Sequence, residues 1–180
     1  MSRALTVYAV DLDDLVAVIG SNDEETLNQY LAHLPETHDP RCCVKGITSC
    51  EWVDPNVFRA IFAGGPFQVE YAEDYVKALE VICRSLGPSV YDMEFHFRSA
   101  PDDIVELATE MNLDGPFPQA EWRGWGSWAK EGCAEELAEL EADGDDEPTD
   151  YDDSDYAFHR LNLLYASKRT DKDLIGFFSG

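Results

Sequence analysis

Residues Ala4 to Val10 read Ala-Leu-Thr-Val-Tyr-Ala-Val, and Leu174 to Phe178 read Leu-Ile-Gly-Phe-Phe. The first run is rich in β-branched and aromatic residues and is followed at once by Asp11, which marks it as a strand with a sharp end. The second reads as a closing strand. Helical spacing dominates between them, so the chain is expected to be α+β. Residues 1–180 are taken as one domain, in which several helices pack on a small sheet that includes the N- and C-terminal strands. Pairing the first strand with the last would bring the two ends together, as compact domains commonly do.

Moving inward from Val10, Asp11 is expected to cap a short helix. Its apolar face is Leu12, Leu15, Val16 and Ile19, and it ends at Gly20. Ser21 with Glu24 has the form of a capping box, and Leu27, Tyr30, Leu31 and Leu34 carry a second helix towards Pro35. His38 to Glu51 is irregular or weakly extended. Asp54-Pro55 opens a third helix, with Val57, Phe58, Ile61 and Phe62 inward and Gly64-Gly65 as its stop. Tyr71, Tyr75, Leu79, Ile82 and Leu86 mark the clearest helix, closed by Gly87 and Pro88. Ser89 to Arg98 reads as a strand with imperfect alternation, and Pro101 opens a helix with Ile104, Leu107, Ala108 and Met111 inward. Gly115-Pro116-Phe117-Pro118 is a rigid turn, after which Trp122, Trp125 and Trp128 follow between glycines. A helix over Glu131 to Glu141 buries Cys133, Leu137 and Leu140. The last helix starts near Ser154 or Asp155, buries Phe158, Leu161, Leu164 and Tyr165, and ends at Lys168-Arg169.

Charge is the chain's most unusual property. The formal net charge is −24, and the stretch from Glu131 to Asp155 alone supplies −13 of it, with no Lys or Arg. Residues at about 142–154 are expected to form an acidic loop inserted in the domain. So acidic a chain repels polyanions, which argues against direct binding to nucleic acid or an anionic membrane surface. No apolar run approaches the roughly 20 residues that span a bilayer, and Met1 to Val10 lacks the form of a signal peptide. Cys42, Cys43, Cys50, Cys83 and Cys133 are odd in number and irregularly spaced, and read as reduced thiols. A cytoplasmic location is expected.

The order of motifs resembles that of the YfbM-like family of small bacterial domains. The likeness rests on Thr6-Val7-Tyr8-Ala9-Val10-Asp11, Ala63-Gly64-Gly65, Phe117-Pro118 with Gly126-Ser127-Trp128, and Phe158 with Leu164-Tyr165-Ala166 before the last strand. The resemblance implies an α+β single domain and brings no catalytic residues. Some relatives in that family are thought of as accessory or toxin-immunity proteins.

Several constellations invite chemistry. Ser127-Trp128-Ala129-Lys130 has the S-x-x-K spacing of serine acyl-transferases, in which a helical turn sets lysine beside the hydroxyl. Its companion motifs are missing, since Ser154-Asp155-Tyr156 and Lys168-Arg169-Thr170 each lack the required third residue. Ser127 as a helix cap is the plainer reading. His38 with Cys42 and Cys43 offers a thiolate–imidazole pair, and adding His33 and Cys50 supplies zinc ligands by type but without the usual spacing. Asp143, Asp145 and Glu147 resemble the start of a calcium loop, but Pro148 stands where the turn needs glycine. No metal and no cofactor is assigned.

The acidic run has three readings: a solvated face, a docking surface for a basic protein, or a phosphate mimic that occupies a nucleic-acid channel. The expected function is non-catalytic binding, of inhibitor or immunity type. Glu135, Glu139, Asp145, Asp146, Glu147, Asp150, Asp152, Asp153 and Asp155 would meet a partner's basic surface, and Trp122 and Trp125 would supply buried contact area. The alternatives are a small-ligand protein or hydrolase with its pocket at Trp122–Trp128, and a nucleic-acid mimic that blocks a DNA- or RNA-binding protein.

Overall fold

The computed structural model describes residues 2–33, 53–96, 123–143 and 156–179. Among the described residues four strands form one antiparallel sheet: β1 (Ser2–Ala9), β2 (Ser89–His96), β3 (Arg123–Trp128) and β4 (Leu174–Ser179), in the order β2-β1-β4-β3. The first and last strands are therefore the two central ones. They pair from Ala4 with Ser179 to Ala9 with Leu174. Six helices are described: α1 (Leu12–Val18), α2 (Glu24–His33), α3 (Pro55–Ala63), α4 (Ala72–Leu86), α5 (Lys130–Asp143) and α6 (Tyr156–Thr170).

Strand alternation divides the core in two. Tyr8 and Val10 of the first strand's run, with Ile175 and Phe177, face a cluster that holds Leu15, Phe58, Ile61, Tyr75, Leu79 and Ile82 from α1, α3 and α4. Leu27, Tyr30 and Leu31 of α2 pack on its edge. Leu5, Val7, Ala9 and Leu174 point the other way, to Cys133 and Leu137 of α5 and Leu163 and Leu164 of α6. The sheet is thus covered by α1–α4 on one face and by α5 and α6 on the other.

Local signals explain most boundaries. Asp54 accepts a hydrogen bond from the Asn56 amide at 2.8 Å, Pro55 fills the first helical position, and Gly64 closes α3 with φ of 75°. Gly20 also has φ of 75°, its amide donates to Ile61 O at 2.9 Å, and a Cβ on Gly64 would lie 3.1 Å from the Gly20 Cα. The ends of α1 and α3 therefore touch backbone to backbone.

Three expectations need correction. Asp11 makes no side-chain cap on α1; its carboxylate pairs with Lys172 instead. Asp23, not Ser21, caps α2, accepting from the Glu25 and Thr26 amides at 3.0 and 3.1 Å. Val16 is 52% exposed, so the inward face of α1 is Leu15, with Leu12, Val18 and Ile19 half-buried beside it. The segment from Arg123 to Trp128, to which the sequence analysis assigns no element, is a strand. The expected helix from Pro101, the Gly115–Pro118 turn and the loop at 142–154 beyond Asp143 lie outside the described residues.

Candidate functional site

Helix α5 carries the acidic surface, and its start is fixed by a residue far along the chain. Asp173, just before β4, accepts the Lys130 amide on Oδ1 at 2.8 Å and the Leu12 amide on Oδ2 at 2.7 Å. One carboxylate therefore caps both α5 and α1, where two sets of orphan amides and two positive helix ends converge. From there Cys133 and Leu137 turn onto the sheet, and Leu140 packs beside them.

The position of each carboxylate around α5 decides its fate. Glu136 is held by Arg160 of α6 at 2.5 Å, and the guanidinium of Arg160 also lies 5.9 Å from the centre of the Trp128 ring. Glu141 is held by Lys168 at 2.7 Å and accepts the Tyr165 hydroxyl at 3.1 Å. Glu131, Glu135 and Glu139 recur every fourth residue on the outward side, and all three are exposed. None of these three makes an ion pair with another described residue. At 1.5 Å rise per residue the stripe is about 12 Å long, so its charges lie about 6 Å apart.

The expected site residues do not all come together. Glu135 and Glu139 sit on the outward stripe as anticipated. Asp145, Asp146, Glu147, Asp150, Asp152, Asp153, Asp155 and Trp122 lie outside the described residues. Trp125 is half-buried on the α1–α4 face and pairs across strands with Phe177, on the side of the sheet away from α5. Trp128, three residues on, packs on the α5–α6 side. An odd spacing on a strand sends side chains to opposite faces, so Trp125 and Trp128 cannot wall one pocket.

The S-x-x-K pair is separated in the same way. Ser127 is in β3 and Lys130 opens α5, so no helical turn joins them. The Lys130 ammonium turns to Asp171 at 3.7 Å. No group of three or more His, Cys, Asp or Glu among the described residues is arranged to hold a metal ion. Cys42, Cys43, Cys50 and His38 lie outside the described residues, and of His33 only the backbone is described. Burial raises the Cys83 and Cys133 thiols above their ordinary range, and both are buried.

Sequence reasoning missed an open groove of about 450 Å³ between α5 and α6. Ala134, Leu137 and Ala138 form its floor, and the Lys130–Asp171 and Lys168–Glu141 pairs stand at its rim. Glu131 lines it too, so the outward stripe begins at its edge. The spacing of Ala134 and Ala138 was the one available signal, since two small residues one turn apart leave a notch on a helix.

The Lys168 hydrogen bond, followed by that of Tyr165, holds the Glu141 carboxyl below its ordinary 4.5. A carboxyl depressed in the folded state contributes stability above its unfolded value and loses it as pH falls through the folded value. In urea unfolding, Glu141→Gln should therefore be less stable than the wild-type chain at neutral pH. The difference should close as pH drops below 4.5. A gap that persists unchanged in acid would show that Glu141 acts by packing rather than by charge.

The chain is thus an α+β protein whose four-stranded sheet is flanked by helices on both faces, with an acidic helix outermost on one side. A family model described as Domain of unknown function (DUF7691) matches residues 1–179, and the chain belongs to that family. No curated protein and no solved structure matches it. Nothing in these comparisons links it to the YfbM-like family.

Proposed function

We propose that this chain is a non-catalytic binding protein, of inhibitor or immunity type, whose acidic surface docks on a basic surface of a partner protein. The observation that carries this reading is the fate of the α5 carboxylates. Glu136 and Glu141 are neutralised by α6, while Glu131, Glu135 and Glu139 stay exposed along one stripe. In sequence the stripe runs on into Asp143, Asp145, Asp146, Glu147, Asp150, Asp152, Asp153 and Asp155. An ordered row of carboxylates on a helix pinned by Asp173 gives direction to the field, steering lysine- and arginine-rich surfaces into register. Among the described residues no helix is long and apolar enough to cross a membrane, and a cytoplasmic location is part of the proposal.

Affinity capture from native lysate tests the reading. A partner with a basic surface should be retained at about 0.05 M salt and released at about 0.5 M, where screening has shortened from over 10 Å to about 4 Å. Capture that is indifferent to salt would contradict it.

A further inference from the structure

The stripe and the groove share an edge, and together they describe an occupant. Glu131 belongs to both, and Glu135 and Glu139 continue from it at one-turn intervals. An anion entering the groove would have to compete for Lys130 and Lys168, which Asp171 and Glu141 already hold. A cation meets Glu131 at the groove's edge, which no described residue neutralises, with Glu135 and Glu139 beyond it on the helix. Ala134, Leu137 and Ala138 make the lining mainly apolar on the α5 side, with Ser167 on the α6 side, and the two small alanines leave room for aliphatic side chains inserted between the helices. Carboxylates about 6 Å apart match the rise of one helical turn, and hence the repeat of lysines or arginines at every fourth position of a helix.

We propose that the groove between α5 and α6 receives a basic amphipathic helix of the partner protein. Its aliphatic side chains sit on Ala134, Leu137 and Ala138, and its Lys or Arg side chains run along Glu131, Glu135 and Glu139. The inference rests on the acidic docking function and names its anchor point. Charge brings the partner in, and the groove selects among basic segments by their apolar face.

Two synthetic peptides separate the groove from the charge. One carries Leu at helical i, i+3, i+4, i+7 spacing with Lys elsewhere; the other is identical but has Ser at every Leu position. Titrated into the full chain at about 0.15 M salt, the Leu peptide should bind at least about tenfold more tightly, since the apolar area it buries is what differs. Ala134→Trp fills the groove from an exposed position on α5 and should abolish that preference while leaving the Ser peptide's affinity unchanged. Equal binding of both peptides, with Ala134→Trp silent and both weakened by salt, would overturn the groove proposal and leave the acidic surface standing. Failure of both peptides to bind at about 0.05 M salt would overturn the groove and the acidic docking surface together. If Ala134→Trp does not fold, Ala138→Trp provides the same obstruction one turn on.

Discussion

Gly87→Ala should destabilise the chain by about 3 kcal/mol or more, at the upper end of what overpacking costs. For a chain of this size that is a fall in Tm of about 6–12 °C. Gly87 ends α4 in an extended conformation, φ −162° and ψ 169°, which any residue adopts, so backbone strain is not the cause. The cause is contact. A Cβ there would stand 2.1 Å from the Ala9 carbonyl oxygen and 2.9 Å from Val10 Cγ2. Neither neighbour can retreat. The Ala9 amide donates to Pro88 O at 3.0 Å, and Tyr8 pairs with Ser89 in the sheet, so β1 is tied to the very turn that would push it. Gly132→Ala in α5 is the control, because a Cβ there meets nothing within 4 Å. Removing a helical glycine should stabilise by about 0.5–1 kcal/mol. The same chemical change is expected to have opposite signs at the two positions, read by thermal or urea unfolding. A neutral Gly87→Ala would mean that α4 and β1 do not meet as closely as described.

Asp173→Ala should cost about 2–4 kcal/mol, because two caps worth about 1–2 kcal/mol each are lost together. Its carboxylate is the hydrogen-bond acceptor for the first amides of α1 and α5, 2.7 and 2.8 Å away. Alanine leaves both amides unpaired in a half-buried setting and removes the negative charge that two helix N-termini share. Asn keeps a single acceptor oxygen and can satisfy one amide only, so Asp173→Asn should fall between wild type and Ala. Amide hydrogen exchange would read the effect locally, with the first turns of α1 and α5 losing protection together. Loss confined to one helix would show that Asp173 caps only that one.

Asp173 also marks where the sequence stopped being readable. The cap of α3 was legible because every part of it is local: Asp54 reaches two residues and Gly64 supplies φ of 75°. Helix α4 was legible from spacing, since Tyr75, Leu79 and Ile82 are all buried. The central β1–β4 pair followed from two apolar runs at the chain's ends. Asp173 was not legible as a cap, because its acceptors serve amides 161 and 43 residues away. Asp11 stood in the local cap position, but Lys172 claims its carboxylate. Strand β3 was hidden by Gly124 and Gly126, which disfavour strands on their own. Pairing overrides that preference: Gly126 lies opposite Gly176, and Trp125 opposite Phe177.

The acidic surface shows the same division. Composition located the charge between Glu131 and Asp155, and helical spacing turned the glutamates of its first part outward. Which of them stay unneutralised depends on α6, whose Arg160 and Lys168 reach back to Glu136 and Glu141. The face that Trp125 takes was not legible, because the strand that orients it was hidden by its glycines. As a strand residue it faces α1–α4, leaving contact area near the acidic stripe to the groove floor instead.

The most direct measurement is the association rate of the captured partner as a function of ionic strength. It compares the wild-type chain with a variant carrying Glu131→Gln, Glu135→Gln and Glu139→Gln. For the wild type the rate should fall by about tenfold or more between about 0.05 M and about 0.5 M salt. The variant, folded and equally stable, should start slower and show a flatter dependence. A wild-type rate indifferent to salt, or a variant that associates as fast as the wild type, would mean that the α5 carboxylates serve only to solvate the chain.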